Sequence, residues 1–343
     1  MYVVLDASSK DWNKYLYDIN IDFQDIYYTS DYYKLYEKNG DGKGKLFVYR
    51  ESNNIAIYPF MLNEIENNNF ESKYYDIESA YGYGGPLTNS YNKKFLSNFE
   101  DEFLKYCNEN GIVAEFIRFH PLIKNEKIFN ENIEVLHNRI TVYLDLTRDV
   151  DVIWKEEIKS KNRNMIRKAE KSGLTVEESK DFQCFKNIYE ATMKKVTADS
   201  YYYFKNDYYD FMENSDNYII LNVKKENQII ASAVFMIYGQ YFHYHLSGSL
   251  KEYLNYSPNN LLLWEAIKYA KAKGCRIMHF GGGLTNSVDD NLFKFKKSFS
   301  NELADFYIGK RVHNKKVYDS LIEEWERKNN KKATMLLQYK VCK

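Results

Sequence analysis

Residues 243–299 read HYHLSGSLKEYLNYSPNNLLLWEAIKYAKAKGCRIMHFGGGLTNSVDDNLFKFKKSF, and the fold is decided here. The spacing predicts a strand ending near Ser247, a polar loop, a helix from Asn259 to Lys273 and a strand from Cys275 to Phe280. Ser257, Pro258 and Asn259 supply turn and N-cap chemistry. Leu262, Leu263, Ala266, Ile267 and Ala270 recur at helical spacing until Gly274 ends the run. The unit closes on Gly281-Gly282-Gly283 and a segment, Asn291–Phe299, in which phenylalanines and lysines interleave.

Upstream, strands are expected at Tyr218–Lys224 and Gln228–Tyr238 with Lys225-Glu226-Asn227 as a hairpin turn. The next strand, Tyr241–Ser247, would carry His243, His245 and Ser247 on one face and Tyr244 and Leu246 on the other. Two histidines on one face without a third ligand do not define a metal site, so these residues are read as lining a pocket or bonding across the sheet. Asp151–Ser172 reads as one helix, apolar at Ile153, Trp154 and Ile158 and basic afterwards. Between Lys159 and Lys171 stand six basic residues and one acid. Arg163, Arg167 and Lys171 are four apart, so they share a face that could meet successive phosphates; a solvated helix face has the same pattern. A helix over Phe182–Thr197 precedes the aromatic run SYYYFKNDYYDFMEN, in which Lys205 is the single cation.

In the first half, Thr29 or Ser30 is placed to cap a helix carrying Tyr33 and Tyr36. Strands at Lys45–Arg50 and Asn54–Leu62 flank a turn. Tyr81–Pro86, YGYGGP, is a glycine-rich loop where backbone could approach a ligand beside Tyr83, without the spacing of a phosphate loop. A helix over Lys93–Asn110 leads to a strand over Ile112–Phe119, at whose end Arg118 and His120 could meet a ligand. Ile140–Leu146 is a further strand, and 147–152 reads as a domain joint. A charged helix is expected over Lys315–Asn330, followed by loosely held last residues.

The chain has 343 residues, 44% of them hydrophobic, enough for two cores. Its 48 basic and 48 acidic residues cancel, so any polyanion contact must be local. No apolar run approaches the roughly 18 residues of a membrane span, and no signal peptide is visible. Cys107, Cys184, Cys275 and Cys342 lack metal spacing and suggest reduced thiols in the cytoplasm. The 33 tyrosines and 21 phenylalanines fit either a biased codon usage or a need for stacking surfaces.

SKNRNMIRKAEKSGL, SPNNLLLWEAIKYAKAKG, the GGG turn and FKKSF stand in an order that resembles the Fem-type (FemABX) transferases and their acyltransferase relatives. YGYGGP and IRFHP are similar to the amino-terminal half of that family. The resemblance implies an α/β fold of mixed sheets in two tandem GNAT-like domains, 1–148 and 149–312, with a helical tail over 313–343 and a site in a cleft between the domains. It implies transfer of an activated acyl group, from aminoacyl-tRNA to an amine on a nucleotide- or lipid-linked cell-wall precursor, in the cytoplasm, with no metal, no cofactor and no stable membrane insertion. The family's Phe-Lys pair matches Phe295 and Lys296. Lys296 would stabilise the oxyanion as nitrogen attacks a carbonyl, and Phe295 would pack the acyl end. Arg163, Arg167 and Lys171 would touch tRNA phosphate. Tyr83, Arg118, His120, Tyr203, Lys205, Tyr208, His243, His245, Ser247, Asn259 and Asn260 are the substrate-binding candidates.

The chain departs from the family in carrying Lys205 where an arginine usually precedes a Tyr-Phe pair. No His-Asp or Cys-His pair is readable as a base, and Asp289 and Asp290 are the nearest alternatives. An acyl-CoA N-acyltransferase acting on an amino sugar of a surface polysaccharide precursor is the alternative. Tyr256–Asn260 lacks the usual glycine-rich pyrophosphate loop, but that helix end could still bind an anion. A third possibility is a binding module without catalysis.

Overall fold

A computed structural model describes residues 2–66, 72–129 and 132–340. Cys342 lies outside them. The chain divides into two compact units, 1–138 with 306–343, and 139–305.

The first unit runs β1 (Tyr2–Asp6), α1 (Trp12–Tyr17), α2 (Ser30–Asn39), β2 (Lys43–Glu51), β3 (Asn54–Glu64), β4 (Tyr75–Glu78), β5 (Leu87–Thr88), α3 (Lys93–Glu109) and β6 (Ile112–Arg118). The strand β7 (Glu134–Asp145) carries the chain onward. Capping follows sequence: Thr29 accepts from Tyr32 N at the start of α2, and Asn92 accepts from Lys94 and Phe95 N at the start of α3. Helix α3 buries Phe95, Phe99, Phe103 and Tyr106 against Phe47, Tyr58 and Phe60 of β2 and β3. Many tyrosines serve this interior. Tyr28 donates to Gly84 O at 3.0 Å, Tyr33 to Pro59 O at 3.0 Å and Tyr58 to Glu115 at 2.7 Å, so their hydroxyls are satisfied where their rings are buried.

The second unit contains α4 (Val150–Val152), a π-helical turn Ile153–Glu157, α5 (Ser160–Lys171), β8 (Leu174–Ser179), α6 (Phe182–Lys195), α7 (Asn206–Glu213), β9 (Tyr218–Lys225), β10 (Gln228–Tyr238), β11 (Tyr241–Ser249), α8 (Pro258–Ala272), β12 (Ile277–Gly282) and α9 (Asn291–Lys296). The chain then runs along β13 (Leu303–Val312) into α10 (Lys315–Asn329). In this unit the strand order is β7-β12-β11-β10-β9-β8, antiparallel except for β11 with β12. In the first unit β1-β2-β3-β4-β6 continues to β13, whose residues Ile308–Val312 pair with β6. Leu261, Leu262, Leu263, Ala266, Ile267 and Ala270 of α8 pack into the core of the second unit.

Three expectations change. The single helix over Asp151–Ser172 is broken, because Ile158 and Lys159 are extended. The segment 298–301 docks into the break: Lys159 N and Asn162 Nδ2 donate to Ser298 O, and Glu157 accepts from Asn301 N. The tail up to Lys340 is tied rather than loose, since Lys340 reaches Asp76 at 3.2 Å and Glu78 at 2.5 Å, and Gln338 is buried; residues 341–343 lie outside the described residues. The face assignment along β11 also fails after His245. The β10 register shifts between Val234 and Phe235, leaving His245 as the extra residue, and such a bulge reverses the alternation. Ser247 therefore joins Tyr244, whose hydroxyl donates to Ser247 Oγ at 2.6 Å.

Candidate active site

Strands β11 and β12 pair only at Tyr241↔Ile277, Phe242↔Met278 and His243↔His279. Beyond that register β11 keeps its partner β10 as far as Ser249, while β12 bulges at Phe280 and follows β7 through Gly281↔Val142 and Gly282↔Thr141. Two parallel strands thus diverge at their carboxyl ends, and the triple glycine lies on one arm of the opening. Asn259, at the start of α8, donates to Ser249 Oγ on the other arm at 3.3 Å.

Lys296 sits by the carboxyl end of β12, beside this opening. It ends α9 and is 8% exposed. Its Nζ donates to Gly282 O at 2.7 Å and lies 5.7 Å from the centre of the Tyr244 ring. Burial pushes its ammonium down to about 7; Asp290 works against that fall and Arg139 adds to it. A buried lysine beside a strand opening fits acyl-transfer chemistry, where a cation meets developing negative charge. Phe295 is half-buried, packs against the second unit's core and meets Phe299 edge-on at 5.4 Å.

The turn before α9 is braced from two sides. Arg139 of β7 donates to Gly283 O at 2.7 Å and Leu284 O at 3.2 Å. Asp290 accepts from Leu284 N, Thr285 N, Thr285 Oγ1 and Phe293 N, and these bonds hold its carboxyl below the usual range although burial opposes them. Asp289 pairs with Lys294 at 2.8 Å. Arg139, Tyr244 and the bracing role of Asp290 were not read from sequence; the legible signal was an Asp before a short helix, an N-cap pattern.

The remaining candidates occupy separate places. His243 lies in T-shaped contact with His279 at 5.7 Å. His245 Nε2 is 2.7 Å from the hydroxyl of Tyr208, which stacks on Phe204 at 4.2 Å, and burial, with His243 adding, pushes His245 down to about 3. Tyr203 and Lys205 are exposed just before α7. Asn260 donates to Asn162 Oδ1 at 2.7 Å, tying α8 to α5.

The basic stripe is divided. Arg163 Nη1 donates to the carbonyls of Trp154, Lys155 and Ile158, capping the π-turn. Arg167 lies 5.4 Å over the Trp154 ring, and Lys171 is exposed. In the first unit, Arg118 donates to Ser79 O at 3.2 Å and lies over Phe116. His120 is fully buried. Its Nδ1 accepts from Leu122 N and Ile123 N, so Nε2 carries the proton and donates to Asp25 at 2.9 Å. Tyr83 meets His120 and Phe306 edge-on.

A family profile described as "Acetyltransferase (GNAT) domain" matches residues 159–296, the segment that ends on Lys296. The UDP-N-acetylmuramoylpentapeptide-lysine N(6)-alanyltransferase of Weissella viridescens is 21% identical over 273 residues, covering 73% of this chain and 80% of that protein. The crystal structure of FemX superposes with a TM-score of 0.70 at 15% identity, covering 93% of this chain and 99% of that one. A tandem GNAT protein from the clavulanic acid biosynthesis pathway superposes with a TM-score of 0.50 at 7% identity, over 90% and 98% of the two chains. The fold is that of a tandem GNAT protein, and the acetyltransferase-domain match supports acyltransferase activity. Within that fold the chain is similar to the FemABX proteins.

Proposed function

We propose that this protein transfers an aminoacyl group from aminoacyl-tRNA to an amine of a nucleotide- or lipid-linked peptidoglycan precursor. The observation that carries the reading is the buried Lys296, its Nζ on Gly282 O where β11 and β12 part. The alanyltransferase named above supports the choice of acceptor. In the reaction the acceptor nitrogen attacks the ester carbonyl, a C–N bond forms, the ester C–O bond breaks and the tRNA hydroxyl leaves. The carbonyl oxygen becomes anionic on the way, and the Lys296 ammonium stabilises it. Phe295 packs the acyl end.

The amine's proton passes to water or to the departing oxygen. Asp290 already accepts from three backbone N–H groups and a hydroxyl, and Asp289 is paired, so neither is assigned as the base. Arg167 and Lys171 are the cations proposed for tRNA phosphate; Arg163 holds the π-turn instead. Within the second unit Tyr203, Lys205, Tyr208, His243, His245, Ser247 and Asn259 remain candidates for the acceptor; within the first unit Tyr83 and Arg118 do. The donor and acceptor are cytoplasmic metabolites, and the reading assigns the protein to that compartment. Among the described residues no helix is long and apolar enough to cross a membrane.

The match to an acetyltransferase domain favours a second reading, acyl-CoA-dependent N-acylation of an amino sugar. The two are separated by incubating the purified protein with charged tRNA, acyl-CoA and a panel of muropeptide and amino-sugar acceptors, following the labelled acyl group. Transfer from tRNA that weakens steeply with added salt supports the first. Salt-independent use of acyl-CoA overturns it. Ligand binding without transfer from any donor overturns both in favour of a binding module.

A further inference from the structure

The turn Gly282–Thr285 is held by charges of both signs. Its carbonyls at Gly282, Gly283 and Leu284 accept from Lys296 and Arg139, and its amides at Leu284 and Thr285 donate to Asp290. The same carboxylate caps α9 through Phe293 N, six residues before the lysine at the other end of that helix. Asp290 therefore fixes both partners of the Lys296 hydrogen bond: the carbonyl that receives it and the helix that presents it. The fit is tight. A Cβ on Gly283 would stand 2.5 Å from Asp290 Oδ1 and one on Gly282 would stand 2.9 Å from the Arg139 side chain, so the glycines let both braces close on the turn.

From this geometry we infer that Asp290 is a positioning residue for acyl transfer: it shapes the Gly282–Thr285 turn and the start of α9 so that the Lys296 ammonium is held at the mouth of the β11–β12 opening. The inference rests on the role proposed above for Lys296. Asp290 acts through Lys296 and does not touch substrate. The charged and titratable groups facing Lys296 are Asp290 before α9, Arg139 of β7 and Tyr244 of β11. Arg139 and burial both favour the neutral amine, and Asp290 is the charged group among these that favours the ammonium. Removing it withdraws both the shape of the turn and the counter-charge.

The test is Asp290→Asn with Gly283→Ala beside it. An asparagine amide cannot accept all four donors, and it carries no charge. The alanine crowds the carboxylate while leaving its charge in place, at a residue whose φ is not in the left-handed region. The 13Cε resonance of Lys296 is followed against pH in 13C-lysine-labelled protein, assigned by loss in Lys296→Arg, and acyl transfer is measured over the same pH range. Asp290→Asn is expected to lower the Lys296 midpoint by about one pH unit, to move the basic limb of the rate profile down with it, and to slow transfer about tenfold. Gly283→Ala shifts both in the same direction by less. A folded Asp290→Asn whose midpoint and basic limb match wild type overturns the inference. If that variant does not fold, an unmoved midpoint in Gly283→Ala overturns it equally. A shifted midpoint in a protein that transfers no acyl group supports the positioning role and counts against the reading of function.

Discussion

Replacing Lys296 with methionine should stabilise the protein, and by an amount that depends on pH. The side chain is buried, and its proton is held up to about 7 in the folded state against 10.5 ordinarily. That gap corresponds to about 5 kcal/mol at ~1.4 kcal/mol per pH unit, an upper figure for the burden of keeping an ammonium out of water. Between the two values the unfolded chain holds more protons than the folded one, so wild-type stability rises with pH across that window and is lowest below it. Methionine fills similar volume and has no proton to lose. The advantage of Lys296→Met should therefore be largest at pH 6 and shrink by about 2–3 kcal/mol at pH 9. Losing the bond to Gly282 O lowers the advantage at both pH values but leaves the difference intact. Urea unfolding of both proteins at pH 6 and pH 9 measures it. A variant displaced from wild type by the same amount at both pH values would refute the reasoning.

Arg311 is buried in the first unit with Glu100 at 2.8 Å and Glu115 at 3.7 Å, so Arg311→Met withdraws the guanidinium from two buried carboxylates and should cost about 3–5 kcal/mol; thermal unfolding reads this as a lowered midpoint. Arg163→Ala should lower stability, through lost bonds to the π-turn, without changing the salt dependence of tRNA binding. Arg167→Gln with Lys171→Gln should do the reverse, reducing the slope of log affinity against log salt by about one to two; binding titrations at several salt concentrations distinguish them.

Legibility in the sequence followed how far each residue's role was local. Helix α8, the β9–β10 hairpin and the helix α3 were readable because their caps, turns and apolar spacing lie within each segment. Strand β13 was not, because Ala304, Gly309 and Arg311 fill inward positions where a hydrophobic alternation would normally appear. The break at Ile158–Lys159 depends on residues 298–301, about 140 positions away along the chain, and no local pattern announces it. The bulge at His245 is set by pairing with β10, so counting alternate residues carried Ser247 to the wrong face. At the site, Lys296 emerged from the ordered motifs, whereas Arg139 and Tyr244 reach it only through the sheet. Arg163 has the spacing of a phosphate-contacting residue and is held by carbonyls five to nine residues back.

Single-turnover transfer from a panel of charged tRNAs to a muropeptide amine, compared between wild type and a folded Lys296→Ala, tests the central claim most directly. The account predicts transfer by wild type and a fall of roughly tenfold to a thousandfold in the variant with donor binding retained. Transfer by Lys296→Ala at the wild-type rate would contradict it.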